Sequence, residues 1–243
     1  MSAIFAFKQF SVCHDKSTMR VGTDAVLLGA FLKILSENRE INSILDVGTG
    51  CGVLALIATQ KFHAANVLAI DIDADSVAEA DTNFRNSPWK NRLCAMCTSL
   101  QDFIKSQDNK FDVIISNPPY FENSLKCSSK AKNKARHNDT LPFAALAVGT
   151  RKLLKNTGCF VCILPKTEAE KLIALCRIEK LYCNHIINIF SKCSDCEAKR
   201  IVMKFEFSEK VLIAADFYIR NDDNSYTDDY YEAVKDLLLV GEE

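Results

Sequence analysis

Along this chain, short uninterrupted apolar runs alternate with longer stretches whose apolar residues recur every three or four positions. The runs Ser43–Val47, Asn66–Ile70, Arg92–Cys97, Phe111–Ser116 and Gly158–Leu164 are short and rich in β-branched residues, which predicts buried strands. The stretches Gly52–Lys61, Ala74–Asn86, Ser99–Ser106, Leu141–Lys155 and Lys166–Glu179 carry the helical period. Strand and helix alternating in this way predict an α/β fold with a doubly wound, mostly parallel sheet. After Glu179 the rhythm changes. Tyr182–Phe190 and Arg200–Phe207 read as successive strands joined by a turn-rich loop, an antiparallel pair expected at the sheet edge. Ahead of the sheet lies a leader ending in Val21-Gly22-Thr23-Asp24, which predicts a loop and helix start before Ala25–Phe31. The tail from Val211 has weak strand character, and Tyr226-Thr227 opens a last helix. No repeat or linker interrupts the pattern, so residues 1–243 are expected to form one domain: a leader and helix (1–40), a core (41–210) and a tail (211–243).

Composition changes this picture little. A length of 243 residues and a hydrophobic fraction of 48% suit an ordinary globular domain. No apolar stretch approaches the roughly 20 residues needed to cross a bilayer, and the first residues lack the pattern of an export signal. A cytoplasmic location and no membrane partner are therefore expected. The eleven cysteines then read as free thiols. Cys94 and Cys97 fall in a strand at an odd offset, which points them to opposite faces. Cys193 and Cys196 lie in a loop without the flanking glycine common in zinc knuckles, and no metal is expected. The net charge of −1 does not mark a nucleic-acid binder, but its distribution is uneven. Between Glu122 and Asp139, Lys126, Lys130, Lys132, Lys134 and Arg136 occur with no acidic residue among them. Such a run is often a solvated loop; placed directly after the motif described next, it is a candidate phosphate contact.

That motif is Asn117-Pro118-Pro119-Tyr120, at the end of the predicted strand Phe111–Ser116. Each proline removes a backbone N–H and drives its predecessor to an extended conformation. The Asn117 side-chain oxygen and the Pro118 carbonyl thus become a fixed pair of acceptors, with Tyr120 as a flat stacking face. A planar group bearing –NH2 fits this pair. Its nitrogen lone pair is delocalised, and two acceptors holding its hydrogens favour the geometry for attack and stabilise the charge that develops. The bland alternative is a surface proline turn.

Three of the eight glycines fall in Asp46-Val47-Gly48-Thr49-Gly50-Cys51-Gly52, where the first sheet strand turns into a helix. Glycine there permits positive φ and close approach of a ligand to the backbone. The dinucleotide fingerprint G-x-G-x-x-G would need glycine where Val53 stands, and Asp46 would repel a pyrophosphate. A cofactor with an amino-acid head and no phosphate fits better. Asp71, about 20 residues beyond the turn, has the spacing of a carboxylate that grips ribose hydroxyls, unless it caps the next helix. S-adenosylmethionine meets these requirements. Ser99 and Leu100, after the third sheet strand, are candidates to border its adenine, or else a helix cap and a core residue.

With the glycine turn, Asp71 and Asn117-Pro118-Pro119-Tyr120 in place, the chain resembles class I S-adenosylmethionine-dependent methyltransferases that act on amino groups. Phe7-Lys8-Gln9-Phe10, His14-Asp15, Met19-Arg20-Val21-Gly22-Thr23-Asp24 and Leu27-Leu28-Gly29-Ala30 are similar to the bacterial valine-tRNA methyltransferases that modify N6 of adenine 37. Ala135-Arg136-His137, Leu141-Pro142-Phe143 and Tyr226-Thr227 extend the likeness over most of the chain. The resemblance implies a seven-stranded Rossmann-like sheet with an antiparallel edge hairpin. It implies S-adenosyl-L-methionine held by Thr23, Asp46, Gly48, Gly50, Gly52, Asp71, Ser99, Leu100 and Asn117. It places the target adenine against Asn117, Pro118, Pro119 and Tyr120, with tRNA as the partner and no obligate protein partner. Ser99 stands where many relatives carry an acid for the adenine amine, and Asp102 is the nearby substitute. Two other functions share the motif: methylation of a glutamine amide on a protein, and a non-catalytic module that kept the fold.

Overall fold

The run Ser-Ile-Leu-Asp-Val forms the strand around which the sheet is wound. A computed structural model describes residues 4–17, 20–36, 39–120 and 141–239. In chain order the elements begin with a small hairpin, β1 (Ile4–Ala6) and β2 (Ser11–Cys13), and helix α1 (Thr23–Leu35). The alternating core follows: β3 (Ser43–Val47), α2 (Val53–Lys61), β4 (Asn66–Asp71), α3 (Ala74–Arg85), β5 (Leu93–Cys97), α4 (Leu100–Ser106) and β6 (Phe111–Ser116). Then come α5 (Phe143–Leu153), β7 (Leu154–Leu164), α6 (Lys166–Ile178), β8 (Tyr182–Lys192), β9 (Arg200–Glu206), β10 (Ile213–Arg220) and α7 (Asp228–Val234).

Among the described residues, eight strands form one sheet in the order β10-β8-β9-β7-β6-β3-β4-β5. The doubly wound α/β class is as expected, with two differences of detail. The weak strand after Val211 is a full strand: β10 pairs with β8 in parallel and becomes the edge, making eight strands rather than seven. The antiparallel element is β9, which lies inside the sheet and pairs antiparallel with both β7 and β8. Burial explains that position. Ile201 to Glu206 are all buried, a composition suited to an inner strand covered on both faces.

Helices cover both faces and divide the core in two. On one side, α1 and α2 pack with Phe84 of α3 and the tail helix α7. On the other, α4, α5 and α6 cover Leu45, Ile114, Phe160 and Met203. α1 and α2 approach closely at Gly29, where an added Cβ would lie 2.5 Å from Ile57 Cγ2. The leader hairpin, not foreseen from the pattern, is fixed by aromatics: Phe7 stacks on Phe10 at 4.4 Å, and Phe10 meets Trp89 edge-on at 5.6 Å. Among the described residues, no helix is long and apolar enough to cross a membrane.

Candidate active site

Strand order decides where a ligand can sit. From β3 the chain winds outward to β4 and β5, then returns to place β6 on the other side of β3. The crevice beyond the C-terminal ends of β3 and β6 is thus the topological switch point, the general ligand position in open α/β sheets. β3 runs directly into the glycine turn, and β6 runs directly into Asn117. One hydrogen bond ties the two ends together: Ser116 Oγ donates to the Val47 carbonyl at 2.7 Å.

The glycine turn adopts backbone that other residues resist. Gly48, Gly50 and Gly52 have φ of 74°, 55° and 84°. An added Cβ would meet nothing within 4 Å at Gly48 or Gly50, so both face open space. At Gly52 it would lie 2.5 Å from the Phe84 ring, so that glycine serves packing against α3. The turn is pinned from β4, whose Ile70 carbonyl accepts from the N–H groups of Gly48 and Thr49 at 2.9 and 3.1 Å. Asp71 Oδ2 accepts from Gly50 N–H at 2.8 Å, and Oδ1 from Asp73 N–H at 3.0 Å. Asp71 therefore does not cap α3. Asp73 does, accepting from the N–H and hydroxyl of Ser76 at 3.0 and 2.6 Å. With one bond to each oxygen, the Asp71 carboxylate keeps acceptor capacity for hydroxyls.

Asp46, the fourth residue of β3, is buried behind the turn. Its Oδ2 accepts from Thr49 Oγ1 at 2.6 Å, while Oδ1 is buried without a hydrogen-bond partner among the described residues. Burial lifts the Asp46 carboxyl to about 7; the Thr49 hydroxyl opposes the shift and the charge of Asp71 adds to it. A cation arriving at this turn would find a carboxylate it can ionise.

Asn117 carries another such atom at this end of the sheet. Among the described residues its Oδ1, at the end of β6, is buried and finds no hydrogen-bond partner. Buried polar atoms are seldom left so, and at a crevice mouth an empty acceptor is a place for a donor from a ligand. Pro118 is buried, and Pro119 and Tyr120 are half-buried behind it. The structure therefore brings Asp46, Gly48, Gly50, Asp71 and Asn117 to Tyr120 to one end of the sheet.

Other expected site residues have a role in the fold. Ser99 caps α4: its Oγ accepts from Asp102 N–H at 3.0 Å and donates to Asp102 Oδ2 at 2.7 Å. Leu100 is buried against Gly149 of α5. Asp102 is bonded to Ser99 and Lys105, two interactions that hold its carboxyl below the usual range. Thr23 opens α1 and is exposed. Lys126, Lys130, Lys132, Lys134 and Arg136 lie outside the described residues. Among the described residues, no group of three or more His, Cys, Asp or Glu side chains could hold a metal ion.

Two clamps on the leader escape motif reasoning, because they join residues far apart in sequence. Glu79 of α3 accepts from the backbone N–H of Asp15, Lys16 and Ser17 at 2.8, 2.9 and 2.9 Å. Asn83, one turn on, accepts from Cys13 N–H at 2.9 Å and donates to the carbonyls of Cys13 and Cys51 at 2.9 and 2.8 Å. The leader is thereby bound to the glycine turn itself. His14 Nδ1 accepts from Val21 N–H at 2.9 Å, shaping the approach to α1.

Comparison with known proteins agrees with this geometry. Residues 22–136 match the family described as the methyltransferase small domain. The chain is 37% identical over 237 residues to the tRNA1(Val) (adenine(37)-N6)-methyltransferase of Bacteroides thetaiotaomicron, covering 97% of each chain. It is 42% identical over 200 residues to the protein of that name from Parabacteroides distasonis, covering 82% of each. Among solved structures, a predicted O-methyltransferase of Agrobacterium tumefaciens shares the fold, with a TM-score of 0.70 at 15% identity over 88% of this chain and 96% of the other. Identity at this level over nearly the whole length is decisive: the chain belongs to the tRNA1(Val) (adenine(37)-N6)-methyltransferase family.

Proposed function

We propose that this protein transfers the methyl group of S-adenosyl-L-methionine to N6 of adenine 37 in a valine tRNA. The observation that carries the reading is the buried Oδ1 of Asn117 at the switch point, which has no partner among the described residues and is joined through Ser116 and Val47 to the glycine turn. The activity for which its relatives are named supports adenine as the base and tRNA as the substrate.

The residues fit the cofactor. Open space at Gly48 and Gly50 admits a ligand against the backbone, and no phosphate-binding fingerprint competes. Asp71 would take the ribose hydroxyls while pinning Gly50, and Asp46 would counter the amino-acid ammonium from behind the turn. Thr23, Ser99 and Leu100 would border the cofactor from the helix starts. When bound, the cofactor supplies an electrophilic methyl group on a sulfonium.

The protein's part is alignment. The target adenine leaves the anticodon-loop stack and lies on Tyr120. Asn117 Oδ1 and the Pro118 carbonyl accept the two hydrogens of its exocyclic amine. Holding both hydrogens turns the nitrogen lone pair out of conjugation and compensates the charge that grows on it. No strong base is required, since the proton leaves after transfer. The basic residues from Lys126 to Arg136 would meet the phosphate backbone.

Asn117→Ala tests this reading. Turnover on unmodified tRNA should fall by roughly 100-fold or more, the scale of losing one preorganised polar group. Cofactor affinity should change little. Nucleoside mass spectrometry of the tRNA reads the product, N6-methyladenosine. Near-normal methylation by the variant, or label entering protein and not tRNA, would overturn it.

A further inference from the structure

Arg200 belongs neither to the glycine turn nor to the Asn-Pro-Pro-Tyr segment, yet the fold delivers it to the same place. It is the first residue of β9. Since β9 runs against its neighbours, its beginning lies beside the end of β7, where Ile201 pairs with Leu164. That is the sheet end from which Asn117 emerges. There the guanidinium meets three partners. Nε donates to Asp24 Oδ2 at 2.7 Å, Nη1 to the Lys199 carbonyl at 2.8 Å, and Nη2 to the Tyr120 hydroxyl at 2.7 Å. Its central carbon also lies over the Tyr120 ring, 5.0 Å from the centroid. Asp24 stands in the first turn of α1, next to Thr23.

This geometry narrows what Arg200 can do. Each guanidinium nitrogen already has a protein partner, so three of its five N–H groups are spent on the fold, the arrangement of a brace. With side-chain exposures of 28% and 21%, Arg200 and Asp24 form a partly desolvated pair, worth more than a surface one. Because Arg200 covers one face of Tyr120, a base stacked on the ring must use the opposite face. Asp24 also neutralises the guanidinium, so no bare cation stands beside a nitrogen that turns positive during transfer. A lysine has the charge but not the planar fork that spans Asp24 and Tyr120 together.

We propose that Arg200 is a positioning residue for methyl transfer: anchored by Asp24 on α1, it holds the Tyr120 ring at the angle on which the target base stacks. This rests on the reading of Asn117 to Tyr120 as the base site. It joins the two halves of the reaction mechanically, since α1 begins at the expected cofactor side and Tyr120 belongs to the base side.

The test is a mutant cycle on the full-length protein with unmodified tRNA. Arg200→Gln should lower kcat by roughly ten- to hundredfold, the scale of misaligned reactants. KM for tRNA, its salt dependence and the affinity for S-adenosylhomocysteine should each stay within about twofold, as expected for alignment without phosphate contact. Arg200→Lys should not restore kcat. In a Tyr120→Ala background, Arg200→Gln should add less than about a twofold loss, because a residue acting through Tyr120 has nothing left to position. Asp24→Asn, which preserves shape, should reproduce the kcat loss and serves if the Arg200 variant folds poorly. Losses that simply multiply in the double variant would overturn the proposal. So would a raised KM with a shallower salt dependence, which marks a direct phosphate contact. A wild-type protein unable to methylate tRNA would overturn the functional reading as well, and is told apart by the wild-type control alone.

Discussion

If Asp46 faces the cofactor as proposed, its carboxyl should make cofactor affinity depend on pH, with the direction set by its burial. In the free protein burial lifts this group to about 7, so near pH 6 it is mostly protonated. A cofactor cation at the glycine turn favours the ionised form. At an effective dielectric constant of about 20, a unit charge some 6 Å away contributes roughly 3 kcal/mol, enough to lower the pKa by about two units. Binding then releases a proton below pH 7, and the affinity for S-adenosylhomocysteine should be roughly tenfold weaker at pH 6 than at pH 8. Calorimetry across that range, in buffers of different ionisation enthalpy, reads both the affinity and the proton. Asp46→Asn keeps an acceptor for Thr49 and removes the titration, so its profile should be flat. The same group acts on stability. Its folded pKa lies above the unfolded value of 3.8, so the unfolded chain gives up its proton first and the free protein loses stability as pH rises from about 4 to 7. The loss is at most about 4 kcal/mol above pH 7. A neutral amide in place of the carboxyl avoids it, so Asp46→Asn should be the more stable free protein at pH 8, the gap narrowing toward pH 4. A wild-type affinity constant from pH 6 to 8, or an equal slope in the variant, would refute the assignment.

Two further outcomes follow from packing and charge. Gly29→Ala places a Cβ 2.5 Å from Ile57 Cγ2, so α1 and α2 must part; stability should fall by about 1–3 kcal/mol in urea unfolding, with kcat at 25 °C little changed. At Glu206 burial works to raise the carboxyl, but hydrogen bonds from Asn184 and Lys210, the charge of Lys204 and a hydrogen bond from Arg39 overcome it and hold the group at about 2. That stabilisation, at most about 3 kcal/mol, is fully present above pH 4.5 and disappears as pH falls toward 2. Glu206→Gln should therefore destabilise at pH 7, and the difference from wild type should shrink below pH 4.5.

Local pattern settled the alternating elements because the signals are local. Ser43–Val47 and Phe111–Ser116 match their strands end to end, since continuous β-branched runs bounded by turn residues leave little choice of register. The glycine turn was legible for the same reason: positive φ at Gly48, Gly50 and Gly52 is written in residue type. Asn117 was legible because two prolines dictate its backbone. The sequence alone also pointed to the chemistry, as an acceptor pair for a planar amine beside a phosphate-free cofactor.

Pairing across distance was not legible. The inward position of β9 and the edge strand β10 depend on which faces are finally buried, which neither strand reveals by itself. For Asp71 the sequence left a helix cap open beside the ribose-gripping role; the fold removes the cap, because Asp73 reaches the α3 start and Asp71 pins Gly50 instead. Ser99 caps α4 and Leu100 packs against α5, the second of the two roles the sequence left open for them. Arg200 is 80 residues from Tyr120 and 176 from Asp24, so only an antiparallel strand returning to the switch point could bring the three together. Residue type determined which groups could react; the winding of the sheet decided which of them meet, because hydrogen-bonded strands set distances that no spacing along the chain encodes.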